Sequence, residues 1–296
     1  MNIFPYLVLT RPANVITAIS DIIAGLAIAG VLTDMDVGKD LPEMLFLMFS
    51  TAGLYAGGIV FNDIFDLEID RVDRPERILP SGKITLRNAV LFGMVLLLGG
   101  VLMAFLVSTS SGLIALTIAF FALLYDKYGK HHPLFGPLNM GMCRGLNLLL
   151  GMSIVALTSL SVLWLMSLLP IVFVAAVTLT SRGEVTARNQ QSIRLALTLD
   201  VLVAATILVL GFYQILNLPM VIPFVILWLG MNLSAKMKAI RQNEPAVIMK
   251  AVKIGVISLI PLNASYVAGF GHWIFALAML MLLPLTLLLS RRFAVT

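Results

Sequence analysis

A chain of 296 residues that is 60% hydrophobic and only 12% charged, with a mean hydropathy of +1.01, is excluded from the soluble domains. A net charge of +5 and a pI near 9.5 would suggest nucleic acid in a soluble chain, but an excess of Lys and Arg on one face of a membrane explains them, so no nucleic-acid partner is implied. The single Cys143 excludes an intrachain disulfide framework.

Asn2 to Leu9 reads as a short interfacial helix and lacks the basic start of a cleaved signal. Ten apolar stretches follow, at about 13–33, 42–62, 86–107, 111–125, 136–155, 159–180, 194–214, 218–234, 247–268 and 272–290. Several are near the roughly 20 residues that span a bilayer, while the fourth and eighth are short. Ten spans are expected, or nine if 218–234 is re-entrant or merges with its neighbour. All of the 20 basic residues except Lys39 and Arg144 fall at the start, at the end or after even-numbered stretches. The positive-inside rule then places both termini and the charged loops in the cytosol, in the inner or plasma membrane of the cell.

The first stretch opens Arg11-Pro12-Ala13-Asn14 and reaches Gly25, and the fifth opens Gly136-Pro137-Leu138-Asn139 and reaches Gly151. This echo suggests that helices 1–4 and 5–8 are parallel duplicates within one domain of residues 1–296.

Directly after the second stretch the chain reads FNDIFDLEIDRVDRPERILPSGK, with six carboxylates beside Arg71, Arg74, Arg77 and Lys83. On a helix, Asn62, Asp66 and Asp70 fall at i, i+4 and i+8 with Asp63 one step round, within roughly 12 Å of rise. Such a face suits Mg²⁺, which takes oxygen ligands, keeps several waters and is usually completed by substrate phosphates. Surface ion pairs alone contribute little and do not require three acids on one face.

These residues resemble the first signature of the UbiA superfamily of intramembrane prenyltransferases. Asn62, Asp63, Asp66 and Asp70 match its acidic part, and Arg74, Pro75, Arg77, Pro80, Ser81 and Gly82 the remainder, with Ile78 where many members have proline. Thr10 to Asn14 resembles the family's first helix, and Tyr125 to Lys130 its Tyr-and-Lys segment. The loop after the sixth stretch, TSRGEVTARNQQS, departs from the family: only Glu184 is acidic, between Arg182 and Arg188. YDKYGKHH, GPLNMGMCRGLNLLLG and SRGEV together are most similar to the EboC branch.

The resemblance implies an all-α, polytopic transmembrane bundle around a lipid-accessible cavity capped by cytosolic loops. It implies Mg²⁺-dependent transfer of an isoprenoid from a prenyl diphosphate to a lipophilic or aromatic acceptor of unknown identity. Asp63, Asp66 and Asp70 would carry the chemistry. Asn62, Asp63, Asp66, Asp70 and Glu184 would hold metal. Asn62, Arg74, Arg77, Lys127, Lys130, Arg144, Arg182 and Arg188 would face the diphosphate. The altered second loop keeps open a non-catalytic relative that binds or transports an isoprenoid or aromatic lipid.

Arg144, about two turns into the fifth stretch, is costly in a membrane and expected to face a cavity, the alternative being a pair with Asp21. Asp21 is either a cavity residue or a buried partner, and for Asp200 the structural reading leads. Lys127 and Lys130 are either diphosphate ligands or orientation signals. Asn14 and Asn139 either line the cavity or bond between helices. His131 and His132 lack zinc spacing beside Cys143.

Overall fold

The computed structural model describes residues 3–33, 36–130, 132–182 and 189–293, all of them helical or connecting, with no strand among them. Helix α1 (Phe4–Thr10) meets α2 (Pro12–Ile28) at Arg11, whose left-handed backbone (φ 47°) and the following Pro12 set a 52° bend. A short helix thus stands where an interfacial one was expected. Asp36 caps α3 (Val37–Phe65), and Asp66 separates it from α4 (Leu67–Asp73). Thr85 and Ser108 then cap α5 (Leu86–Val107) and α6 (Thr109–Leu124), their hydroxyls accepting from Asn88 and Ser111 N–H. α6 runs into a π-turn at Tyr125–Gly129. α7 (Phe135–Met152), α8 (Leu168–Ser181), α9 (Gln190–Phe212), α10 (Leu218–Gln242), α11 (Pro245–Ile257), α12 (Leu259–Gly269), α13 (Trp273–Leu280) and α14 (Leu282–Arg292) complete the chain.

Among the described residues, eight helices or near-continuous helix pairs are long and apolar enough to cross a membrane, or nine with the bent α1–α2 pair. α7 coincides with the fifth apolar stretch but carries Asn139, Arg144 and Asn147, which keeps it out of that count. α10 outruns its apolar stretch by two turns. Lys236, expected in a loop, is instead buried in it and paired with Asp200 of α9 at 2.6 Å. The structural reading of Asp200 is thus the observed one.

Two apolar clusters share α2 and α7 as a common seam. One, on α3, α5 and α6, takes Ile22, Leu26 and Leu150; the other, on α8 to α13, takes Ala24, Ala27 and Leu148 and centres on Phe173, Trp228 and Tyr266. At the seam Gly25 meets Gly151. A Cβ on Gly25 would fall 2.5 Å from the Leu148 carbonyl oxygen, and one on Gly151 would fall 2.6 Å from that of Ile22. Without a hydrophobic effect between helices in lipid, such close backbone approach is a main source of association. Outward faces carry Leu91, Leu102, Ile226 and Leu288, apolar as lipid requires.

Candidate active site

The polar residues of the Asp-rich segment converge on one end of the bundle. Asn62 and Asp63 sit on the last turn of α3, Asp66 at the break and Asp70 on α4. The single continuous helix expected for these residues is thus interrupted. The stacking survives because the Asp66 and Asp70 amides still donate to Asn62 and Asp66 carbonyls at 3.0 and 2.8 Å.

Each motif acid is paired with a base. Asp63 accepts from Arg11 at 2.7 Å and lies 3.8 Å from Arg77; Asp70 accepts from Arg77 at 2.7 Å; Asp66 is paired with Lys130 of the π-turn segment. Asn62 donates instead to the buried Asp126 at 2.9 Å. Arg74 is half-buried beside this cluster and makes no ion pair among the described residues, whereas Arg71 and Glu68 form an exposed pair. Lys127 points outward, its ammonium 5.1 Å from the Tyr128 ring, so of the two lysines only Lys130 joins the cluster.

Under this cluster lies a cavity of about 270 Å³, walled by α2, α3, α6, α7, α8, α11 and the start of α12. Arg11, Asn14, Asn62, Tyr125 and Asp126 line its head. Leu54, Ile59, Ile118, Val174, Val177 and Val252 are among its apolar walls. Deep in it, Thr51, Tyr55, Arg144 and Asn147 form a polar belt. Arg144 lines the cavity and is also held from behind, donating to Asp21 at 2.7 Å and Thr17 at 2.5 Å with its guanidinium 4.8 Å from the Tyr55 ring. The pairing with Asp21, set above as the alternative, is therefore present together with cavity exposure.

Two expected cavity residues stand elsewhere. Asp21 is fully buried behind Arg144 and accepts from Arg144, Asn147 and Asn263, so its carboxylate anchors α2 to α7 and α12. Asn139, with its nitrogen toward the Phe121 carbonyl (3.0 Å) and its oxygen toward the Tyr125 N–H (3.2 Å), fastens the π-turn and does not line the cavity. Asn14 does line it. Arg182 caps α8 and donates to the His132 carbonyl at 2.5 Å, tying two loops together at the same end. Glu184 and Arg188 lie outside the described residues.

For Mg²⁺ the donor set is all oxygen, which fits. No three carboxylates, His or Cys converge closely enough among the described residues to hold an ion unaided. That also fits an ion normally bound through one or two carboxylates with substrate phosphates completing the shell. Arg11, Thr51, Tyr55, Asp126 and Asn147 are among the site residues that sequence reasoning left out. A signal existed for Asn147, which follows Arg144 by one helical turn.

The model of the UbiA prenyltransferase family matches residues 23–250. The chain belongs to this family. The digeranylgeranylglyceryl phosphate synthase of Methanococcoides burtonii is 38% identical over 115 residues, 38% of this chain and 41% of that protein. That of Methanoculleus marisnigri is 31% identical over 161 residues, 54% of this chain and 55% of the relative. The chain thus spans about half the length, or less, of the curated relatives it matches. A solved structure described under digeranylgeranylglyceryl phosphate synthase superimposes with a TM-score of 0.67 at 24% identity, covering 90% of this chain and 98% of that one. A UbiA homologue from Archaeoglobus fulgidus bound to GPP and Mg²⁺ gives 0.61 at 14% identity, covering 88% and 99%. At these identities the likeness shows the UbiA fold, an integral membrane bundle. The EboC branch is not confirmed by these relatives, so the assignment stops at the UbiA family.

Proposed function

We propose that this UbiA-family chain is a Mg²⁺-dependent prenyltransferase that moves an isoprenoid from its diphosphate to a hydroxyl of a phosphoglycerol lipid. The observation that carries the reading is the placement of paired acids and bases, Asp63, Asp66 and Asp70 with Arg11, Arg77 and Lys130, over the head of an apolar-walled cavity. A diphosphate arriving there meets guanidinium and ammonium groups already gathered, and Arg74, without an ion pair among the described residues, is available to it. Mg²⁺ bound through Asn62, Asp63, Asp66 and Asp70 would neutralise the leaving diphosphate as a Lewis acid. The apolar walls keep water from the allylic carbon until the acceptor is in place.

The acceptor class rests on the names of the relatives, in which a prenyl group joins a glyceryl phosphate. A lipophilic aromatic acceptor is the competing class. The finer placement belongs to the same reading: the charged loops and both termini face the cytosol, where soluble prenyl diphosphate is presented. Residues 1–296 act as one domain, with helices 1–4 and 5–8 as duplicates whose equivalent glycines, Gly25 and Gly151, meet at the seam.

Incubating purified protein with prenyl diphosphates of graded length, Mg²⁺ and either a prenylglyceryl phosphate or an aromatic acceptor tests this. Pyrophosphate release with a prenylated glyceryl phosphate is the expected result. Tight Mg²⁺-dependent binding with no pyrophosphate release for any acceptor would replace it with the binding or transport reading, which the altered second loop favours.

A further inference from the structure

Among the described residues, Arg144 is the charged side chain that lines the cavity below its head. Its guanidinium lies 4.8 Å from the Tyr55 ring. Tyr55 stands two turns before Asn62 on α3, about 10 Å of helical rise. Side chains tilt toward the N-terminus of their helix, and α3 runs toward the Asp-rich end, so the Tyr55 ring points away from the head. A diphosphate seated among the motif acids ends above this level. The role beside the diphosphate that the family resemblance implied for Arg144 therefore does not match its depth. Behind the guanidinium, Asp21 and Thr17 each take one of its N–H donors, and both are fully buried outside the cavity wall. The cavity is thus shown the cation of the Arg144–Asp21 pair and not the anion. In front lies a space bounded by Leu54, Ile118, Val174 and Val256.

We propose that Arg144 seats the anionic group of the acceptor and so decides which acceptors the cavity takes, a role that rests on the prenyl-transfer reading above. A partly engaged guanidinium in apolar surroundings suits a charged oxygen, and its planar fork matches phosphate or carboxylate. On that reading the anion is the phosphate of a glyceryl phosphate. The donor diphosphate at the head and the acceptor phosphate on the deep belt then lie on opposite sides of the space in which they react. In a prenylglyceryl phosphate the phosphate and the free hydroxyl share one three-carbon unit. A phosphate held on Arg144 therefore keeps the hydroxyl between the two charges, facing the prenyl carbon that the diphosphate leaves. Asp21 and Thr17 hold the guanidinium in its place before the acceptor arrives, so little ordering is needed on binding. If Arg144 only fastened α7 to α2, these two contacts would suffice and the acceptor's charge would not matter.

The test measures affinity, without donor, for two pairs of probes: prenylglyceryl phosphate against prenylglycerol, and a hydroxybenzoate against phenol. Wild type is compared with the double variant Asp21→Asn, Arg144→Gln, which leaves no buried carboxylate uncompensated, and with Arg144→Lys. Wild type should bind prenylglyceryl phosphate about 10 to 100 times more tightly than prenylglycerol. In the double variant that ratio should fall to about threefold or less, while affinity for a non-reactive prenyl thiodiphosphate with Mg²⁺ stays within about threefold of wild type. A ratio that survives in the double variant would overturn the inference. So would a loss of thiodiphosphate affinity with the ratio intact, which would place Arg144 with the donor. No preference by wild type for the charged member of either pair would overturn it as well. A preference confined to the hydroxybenzoate, and lost in the double variant, keeps the seat and makes its anion a carboxylate. Should the double variant not purify folded, Arg144→Lys decides, because its ammonium still compensates Asp21 but has no fork: a reduced ratio supports the seat and a wild-type ratio sinks it. Wild type that shows the preference yet releases no pyrophosphate with any acceptor would end the prenyl-transfer reading and leave the anion seat standing. Transfer without any charge preference would do the reverse.

Discussion

Asp66 is the motif acid at which helix geometry, charge pairing and metal chemistry meet. It stands at the break between α3 and α4, and among the described residues its ion-pair partner is Lys130 of the π-turn segment. Replacing it with Ala removes one oxygen pair from the metal platform and frees Lys130, but leaves the helices packed. Asp66→Ala should therefore lose Mg²⁺-dependent prenyl thiodiphosphate binding by at least about tenfold, about 1.4 kcal/mol, with little change in thermal midpoint. Equal affinity in mutant and wild type, with and without EDTA, would remove Asp66 from the metal site. Asp21 should behave in the opposite way. It is buried and satisfies Arg144, Asn147 and Asn263 together, so Asp21→Ala leaves a buried cation uncompensated. Breaking such a pair from one side costs about 3–5 kcal/mol, and a drop in the melting temperature of detergent-solubilised protein measures it. The motif acids were legible because Asp63, Asp66 and Asp70 share a short spacing with Asn62. Arg11 and Asp126 were not, because their partners Asp63 and Asn62 lie 52 and 64 positions away and meet them only after the bundle closes.

At the scale of elements, hydropathy located the helices and polar side chains decided how they end and meet. The apolar stretch at 218–234 gave no hint that α10 continues to Gln242, since a buried Lys236 reads as a loop charge until Asp200 is placed beside it. The first and fifth stretches meet where the backbones of Gly25 and Gly151 come close together. Gly25→Ala should force α2 and α7 apart, the new methyl falling 2.5 Å from the Leu148 carbonyl oxygen and 2.7 Å from the Met152 nitrogen. Overpacking of this kind costs about 1–3 kcal/mol. Gly99→Ala on α5 is the control, with no atom within 4 Å of its new Cβ. Equal melting temperatures for the two variants would show that the α2–α7 seam yields freely.

For the whole molecule, what remained hidden in the sequence is the cavity itself, which is a property of seven helices together and of none alone. Its polar belt explains the two basic residues that break the charge asymmetry differently. Arg144 sits in the seam, where Asp21 and Thr17 compensate it, whereas Lys39 lies near the start of α3 on the opposite side from the Asp-rich end. The proposed cytosolic placement of that end makes a direct prediction. In a Cys143→Ser background, cysteines at the exposed positions Ser81 and Gln242 should resist a membrane-impermeant thiol reagent in intact cells and react once the membrane is opened, while one at exposed Asp36 should react at once. Asn189 would be a poor probe for the same face, because it is buried and donates to the Leu179 and Thr180 carbonyls, so it would stay unlabelled on either side. Labelling of Ser81 and Gln242 from outside with Asp36 protected would invert the orientation and move the prenyl diphosphate site away from the cytosol. Labelling of only one of the pair would instead break the even number of spans from α5 to α10 that keeps Ser81 and Gln242 on one face.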